Sequence, residues 1–118
     1  MCPVIRASEL HDNEFQGVNH GSGLSVIFVN AAPGRGPELH RHAYEEVFIV
    51  EAGKVTFTLE TAELEALPGD VVIAPAGTPH GFVNSGDEHL RMTAIHHAPA
   101  FLTEWLEGRQ AAGSGEAR

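Results

Sequence analysis

The sequence predicts an all-β sandwich or barrel closed by one short terminal helix. Thirteen glycines and seven prolines punctuate the 118 residues at short intervals. Between them lie short runs rich in Val, Ile, Phe and Thr, the spacing expected of short strands joined by tight turns. Within "KVTFTLE", 54–60, Val55, Phe57 and Leu59 alternate with Lys54, Thr56, Thr58 and Glu60. Such alternation marks a strand with one face in a core.

Taken in order, "LSVIFVNA" (24–31) is the first apolar run, and the Pro-preceded surroundings of "HRH" (40–42) favour an extended segment. "EVFIVEA" (46–52) and "KVTFTLE" (54–60) follow as strands. "TAELEAL" (61–67) fits a helical turn or a hairpin connection, and the hairpin is preferred. "DVVIAP" (70–75), "GFVNS" (81–85) and "LRMTAIHH" (90–97) complete the strands. "PAFLTEWLE" (99–107) predicts a helix opened by Pro99, with Phe101, Leu102, Trp105 and Leu106 on one face. One domain is expected over 1–108, and "RQAAGSGEAR", which carries no apolar pattern beyond Gly108, predicts a flexible tail at 109–118.

Composition narrows the possible partners. Hydrophobic residues make up 42% of the chain, enough for a packed interior. Seven Lys+Arg stand against 16 Asp+Glu, a net charge of −9 that repels phosphate backbones and anionic lipid. Neither nucleic acid nor a membrane surface is an expected partner. Cys2 is the only cysteine, so no internal disulfide forms. No basic start followed by an apolar run reads as a signal peptide, and no apolar window is long enough for a membrane helix. The expected location is the cytoplasm.

The stretch "GRGPELHRHAYEEVFIVEAG" (34–53) carries the first candidate chemistry. Histidines at i and i+2 lie about 200° apart on a helix but share one face of a strand, roughly 6.6 Å apart at Cα. His40 and His42 can therefore share a metal ion only if the segment is extended, with Arg41 pointing outward. Glu46 opens the next run and shares a face with Phe48 and Val50, leaving Glu45, Val47 and Ile49 on the other. A buried carboxylate facing two imidazoles is reasonable beside a divalent cation, which offsets its desolvation. Taken alone, the same residues also fit surface histidines and a solvated strand start.

The second stretch is "GDVVIAPAGTPHGFVN" (69–84). A strand ends at Pro75, Gly77 is suited to a turn of positive φ, and Pro79 stiffens the approach to His80. His80 is a candidate fourth ligand, or an incidental histidine on a surface turn.

Together the two segments resemble the motifs of the cupin superfamily, in the form of its small single-domain metal-binding members. Gly34, His40, His42, Glu46 and Gly53 match the first motif, and Gly69, Pro75, Gly77, His80 and Asn84 the second. The resemblance implies a double-stranded β-helix, or jelly roll. It implies one divalent metal ion held by His40, His42, Glu46 and His80, and frequent homodimers. An exposed sheet edge is a physical reason for pairing.

Three imidazoles and a carboxylate leave open positions on the ion, and without thiolate they admit Fe, Mn, Ni, Co, Cu or Zn. Such a site suits a small-molecule substrate with adjacent oxygens, and dioxygenase-type chemistry is the leading reading. Isomerase, epimerase or lyase chemistry and a non-enzymatic sensing module are the alternatives. His96 shares parity with Leu90, Met92 and Ala94 and is the candidate for proton transfer or substrate orientation, or else a structural histidine. Tyr44, Phe48, Phe82, Asn84 and Met92 are candidates for the pocket wall and outer support, and Asn84 also suits a clamp on backbone. His20 fits either the mouth of the site or a surface loop, and the surface loop is preferred. His11, His89 and the acidic residues around 60–65 belong on the surface.

Overall fold

Alternating burial along the chain builds two five-stranded antiparallel sheets in the computed structural model, which describes residues 4–106. The first sheet has the order β1-β2-β9-β4-β7. Its strands are β1 (Glu14–Gln16), β2 (Ser25–Ala31), β4 (Glu46–Ala52), β7 (Val71–Ala74) and β9 (Leu90–His96). The second has the order β10-β3-β8-β5-β6, built from β3 (His40–Arg41), β5 (Val55–Leu59), β6 (Ala62–Ala66), β8 (His80–Asn84) and β10 (Glu104–Trp105). This is the double-stranded β-helix that the resemblance implied.

The inner faces supply the core. Ile27, Val29, Phe48, Val50, Leu90, Met92 and Ala94 come from the first sheet, and Val55, Phe57 and Phe82 from the second. Phe48, Phe57 and Phe82 meet edge-on or tilted at centroid distances of 4.9, 5.5 and 5.9 Å, a favoured aromatic arrangement. Gly36 must be glycine: a Cβ there would lie 1.7 Å from the Phe82 carbonyl oxygen. Gly77 takes φ +78° as the turn before β8 requires, and its N–H donates to the His42 carbonyl at 2.7 Å. That bond ties the second motif to the first.

The segment 61–67 is more than a connection. Its residues 62–66 form β6, paired residue for residue with β5 around a turn at Glu60, whose φ is +56°.

The terminal helix expected over 99–107 is not formed in the part of it that is described. Residues 97–100 bend, 101–103 follow without regular structure, and Glu104 and Trp105 pair with Arg41 and His40 of β3. A helix of this length is marginal unless packing holds it. The open edge of β3 offers instead a backbone partner, with Leu106 N–H donating to Leu39, and a bidentate Arg41–Glu104 ion pair at 3.0 Å. Phe101 and Trp105 still turn toward the molecule, Phe101 against His96 and Trp105 against His40. The expected tail, 109–118, lies outside the described residues, as does Cys2. Among the described residues no helix is long and apolar enough to cross a membrane.

Candidate metal centre

Strand register assembles the cluster. His40 of β3 stands opposite His80 of β8 in one sheet, and Glu46 of β4 stands opposite His96 of β9 in the other. His42 lies at the corner between β3 and β4. One ligand atom each from His40, His42, Glu46 and His80 lies within 4.8 Å of all the others, and the four side chains are buried.

The ring nitrogens are oriented from behind. His40 Nδ1–H donates to the Glu38 carbonyl at 2.7 Å, and His80 Nδ1–H to the Thr78 carbonyl at 2.9 Å. Both bonds reach back two residues, so the motifs use the same local geometry twice. His42 Nδ1–H donates to the Leu102 carbonyl at 2.8 Å. A carbonyl only accepts, so each neutral imidazole carries its proton on Nδ1 and presents a lone pair at Nε2.

Those lone pairs converge on another acceptor. Glu46 Oε1 lies 3.1 Å from both His42 Nε2 and His80 Nε2. The His42 contact is out of line for a hydrogen bond, and His40 Nε2 and His42 Nε2 have no hydrogen-bond partner among the described residues. Buried acceptors facing one another require a cation between them, a proton or a metal ion. Burial and the nearby His80 hold His40 down to about 4, so a proton is disfavoured there. Burial pushes Glu46 up, and the hydrogen bonds from His42, His80 and His96 that would bring it below the usual carboxylate range each need a proton on Nε2. With Nε2 of His42 and His80 bare, a cation seated among them has to take over that pull. The buried cluster of three histidines and a glutamate suits a divalent metal ion.

His96 is as buried as the ligand candidates and differs from them in orientation. Its Nδ1 meets the Tyr44 hydroxyl at 2.8 Å, and its Nε2 lies 3.0 Å from Glu46 Oε2. Tyr44 also stacks on His42 at 4.8 Å, so it touches both rings. Phe48 lies beneath the cluster, 6.1 Å from the His80 ring between centroids, and Phe82 packs behind Phe48.

Asn84 and Met92 stand apart from the cluster. Each is four residues along its strand from a cluster histidine, about 13 Å at strand rise. Asn84 clamps backbone, donating to the Ala31 and Glu88 carbonyls and accepting from Gly86 N–H. Met92 is core, beside Val29 and Val50 in register. His20 is exposed and stacks on Phe15, and His11 and His89 are on the surface.

Sequence reasoning missed what the C-terminal segment contributes: the Leu102 carbonyl, Phe101 against His96, and Trp105 4.8 Å from His40. A backbone carbonyl leaves no mark in side-chain pattern, and the aromatic pair fits a helical face equally well. A cleft of about 390 Å³ lies beside the cluster, lined by Arg41, His42, Gly77, Leu102 and Thr103 among others.

Comparison with known proteins agrees with this geometry. The family model of the cupin domain matches residues 27–96, which hold both motifs and the whole cluster. An uncharacterised protein of Methanocaldococcus jannaschii is 29% identical over 91 residues, covering 76% of this chain and 70% of that protein. Among solved structures, oxalate decarboxylase of Bacillus subtilis, a protein with Mn(II) centres, superposes with a TM-score of 0.72. It is 24% identical over 79% of this chain, which spans 27% of that enzyme. A candidate sugar phosphate isomerase of Acidithiobacillus ferrooxidans is 29% identical over 73% of this chain and 53% of its own length, with a TM-score of 0.58. With the fold, the two motifs and the domain match in agreement, the chain belongs to the cupin family.

Proposed function

We propose that this cupin is a metal-dependent enzyme of dioxygenase type acting on a small oxygen-rich metabolite. His40, His42, Glu46 and His80 would hold one divalent transition-metal ion. The convergence of three imidazole lone pairs and a carboxylate at one buried point carries this reading. When bound, the ion would supply Lewis acidity or, as iron, access to dioxygen chemistry. The chain orients the donors through backbone carbonyls and packs Phe48, Phe101 and Trp105 against the histidine rings. The cleft beside His42 gives a small molecule a place to approach.

A second reading is isomerase, epimerase or lyase chemistry without dioxygen. The likeness to the Acidithiobacillus ferrooxidans protein favours an isomerase within it. Oxygen-electrode and anaerobic assays of the Fe(II)-loaded protein against small diketones, hydroxy acids and sugar phosphates separate the two. Oxygen uptake coupled to product supports the first reading, and equal anaerobic turnover supports the second. Tight binding with no turnover points to a sensing module.

The protein is further proposed to work in the cytoplasm as a homodimer. Two rows of residues cross the outer face of the first sheet: Val26, Ile95, Val47 and Ile73, then Phe28, Thr93, Ile49 and Val71. All but Thr93 are apolar, and Phe28, Val71 and Ile73 are exposed. A contiguous apolar face of this kind favours a protein partner.

A further inference from the structure

The fourth buried histidine is not needed to complete the ligand set, yet it stands against it. His96 is fully buried, and its ring packs between His42 and Phe101 at centroid distances of 4.7 Å. Its hydrogen-bond chain runs opposite to those of the other three histidines. The Tyr44 hydroxyl accepts from Leu102 N–H at 3.2 Å and lies 2.8 Å from His96 Nδ1. A phenol is protonated at neutral pH and has one proton to donate. Among the described residues the only acceptor placed for that proton is His96 Nδ1.

With Nδ1 accepting, a neutral His96 must carry its own proton on Nε2. Among the described residues that atom has no hydrogen-bond partner, and neither has Glu46 Oε2, 3.0 Å away. A buried donor and a buried acceptor are therefore side by side and misaligned. The terminal torsion of a glutamate is broad and soft, so a small turn of the carboxylate aligns them. We propose that His96 is a positioning residue: locked by Tyr44 as the Nε2–H tautomer, it engages Glu46 Oε2 and leaves Oε1 alone to face the metal ion.

The proposal rests on the metal-site reading for its consequence, not for the tautomer. It makes His96 a donor and not a fifth ligand, and it makes Glu46 a one-oxygen ligand. Both nitrogens of His96 are then engaged within the protein, so proton transfer to a substrate falls to another group.

The test is the long-range 1H–15N spectrum of zinc-loaded protein with 15N-labelled histidine. Three histidines are expected as Nδ1–H tautomers with metal-shifted Nε2, and His96 as Nε2–H without a metal shift. Tyr44→Phe is expected to release His96 to a tautomer mixture. His96→Leu is expected to weaken zinc binding by about 10- to 100-fold, and His96→Gln, which keeps a donor near Nε2, to restore most of it. A metal-shifted His96 Nε2, an Nδ1–H tautomer in the unmutated protein, or no rescue by Gln would overturn the proposal. If the protein takes up no zinc, the metal reading fails. The tautomer of His96 is then read in the metal-free protein, where the same two outcomes decide it.

Discussion

Glu46 carries the electrostatic conflict at the centre of the cluster, because its Oε1 faces lone pairs at 3.1 Å from His42 and His80. Replacing it by Gln supplies an amide N–H that can donate to those lone pairs. Glu46→Gln should therefore lose metal binding yet leave the metal-free protein at least as stable as the parent, measured by urea unfolding. A metal-free variant markedly less stable than the parent would contradict the lone-pair assignment. His40 sets an acid limit. Its folded value of about 4 lies below the ordinary 6.5, so the unfolded chain binds the extra proton first. This contribution is fully present above pH 6.5 and is lost as pH falls toward about 4, roughly 3 kcal/mol in all for the metal-free protein. Urea titrations across that window should show the fall, and His40→Gln should flatten it.

Among the elements, the segment 101–106 acts as the back wall of the site. It supplies the carbonyl that fixes the His42 tautomer and the N–H that orients Tyr44. A chain truncated before Phe101 is expected to keep its β circular dichroism and to bind metal about 10- to 100-fold more weakly. Unchanged affinity would mean that the segment only covers the site. This element also marks the limit of the sequence reading. The four ligand candidates were legible because strand parity and two motifs fix where each points. So were the inward placements of Glu46, Phe48 and Val50, since a half-buried strand has only two faces. The terminal strand was not legible: Phe101 and Trp105 are spaced for a helical face, and only the open edge of β3 decides otherwise. The strand β6 was hidden for a related reason, because its Glu63, Leu64 and Glu65 are all exposed and show no buried face.

At the scale of the whole molecule, the apolar outer face of the first sheet ends at β7, an edge strand with Val71 and Ile73 exposed. Light scattering coupled to gel filtration should give twice the chain mass, and Val71→Lys with Ile73→Lys should give a folded monomer. A monomeric parent protein would remove the dimer from this picture without touching the metal centre. The two sheets matter most for what they hold between them, since ligands from both must converge for a site to exist. Elemental analysis of protein purified without added metal tests that most directly. About one divalent transition-metal ion per chain is expected, falling sharply in both His40→Ala and His80→Ala. An ion content unchanged in the two variants, or a parent protein that takes up no ion, would contradict the assignment.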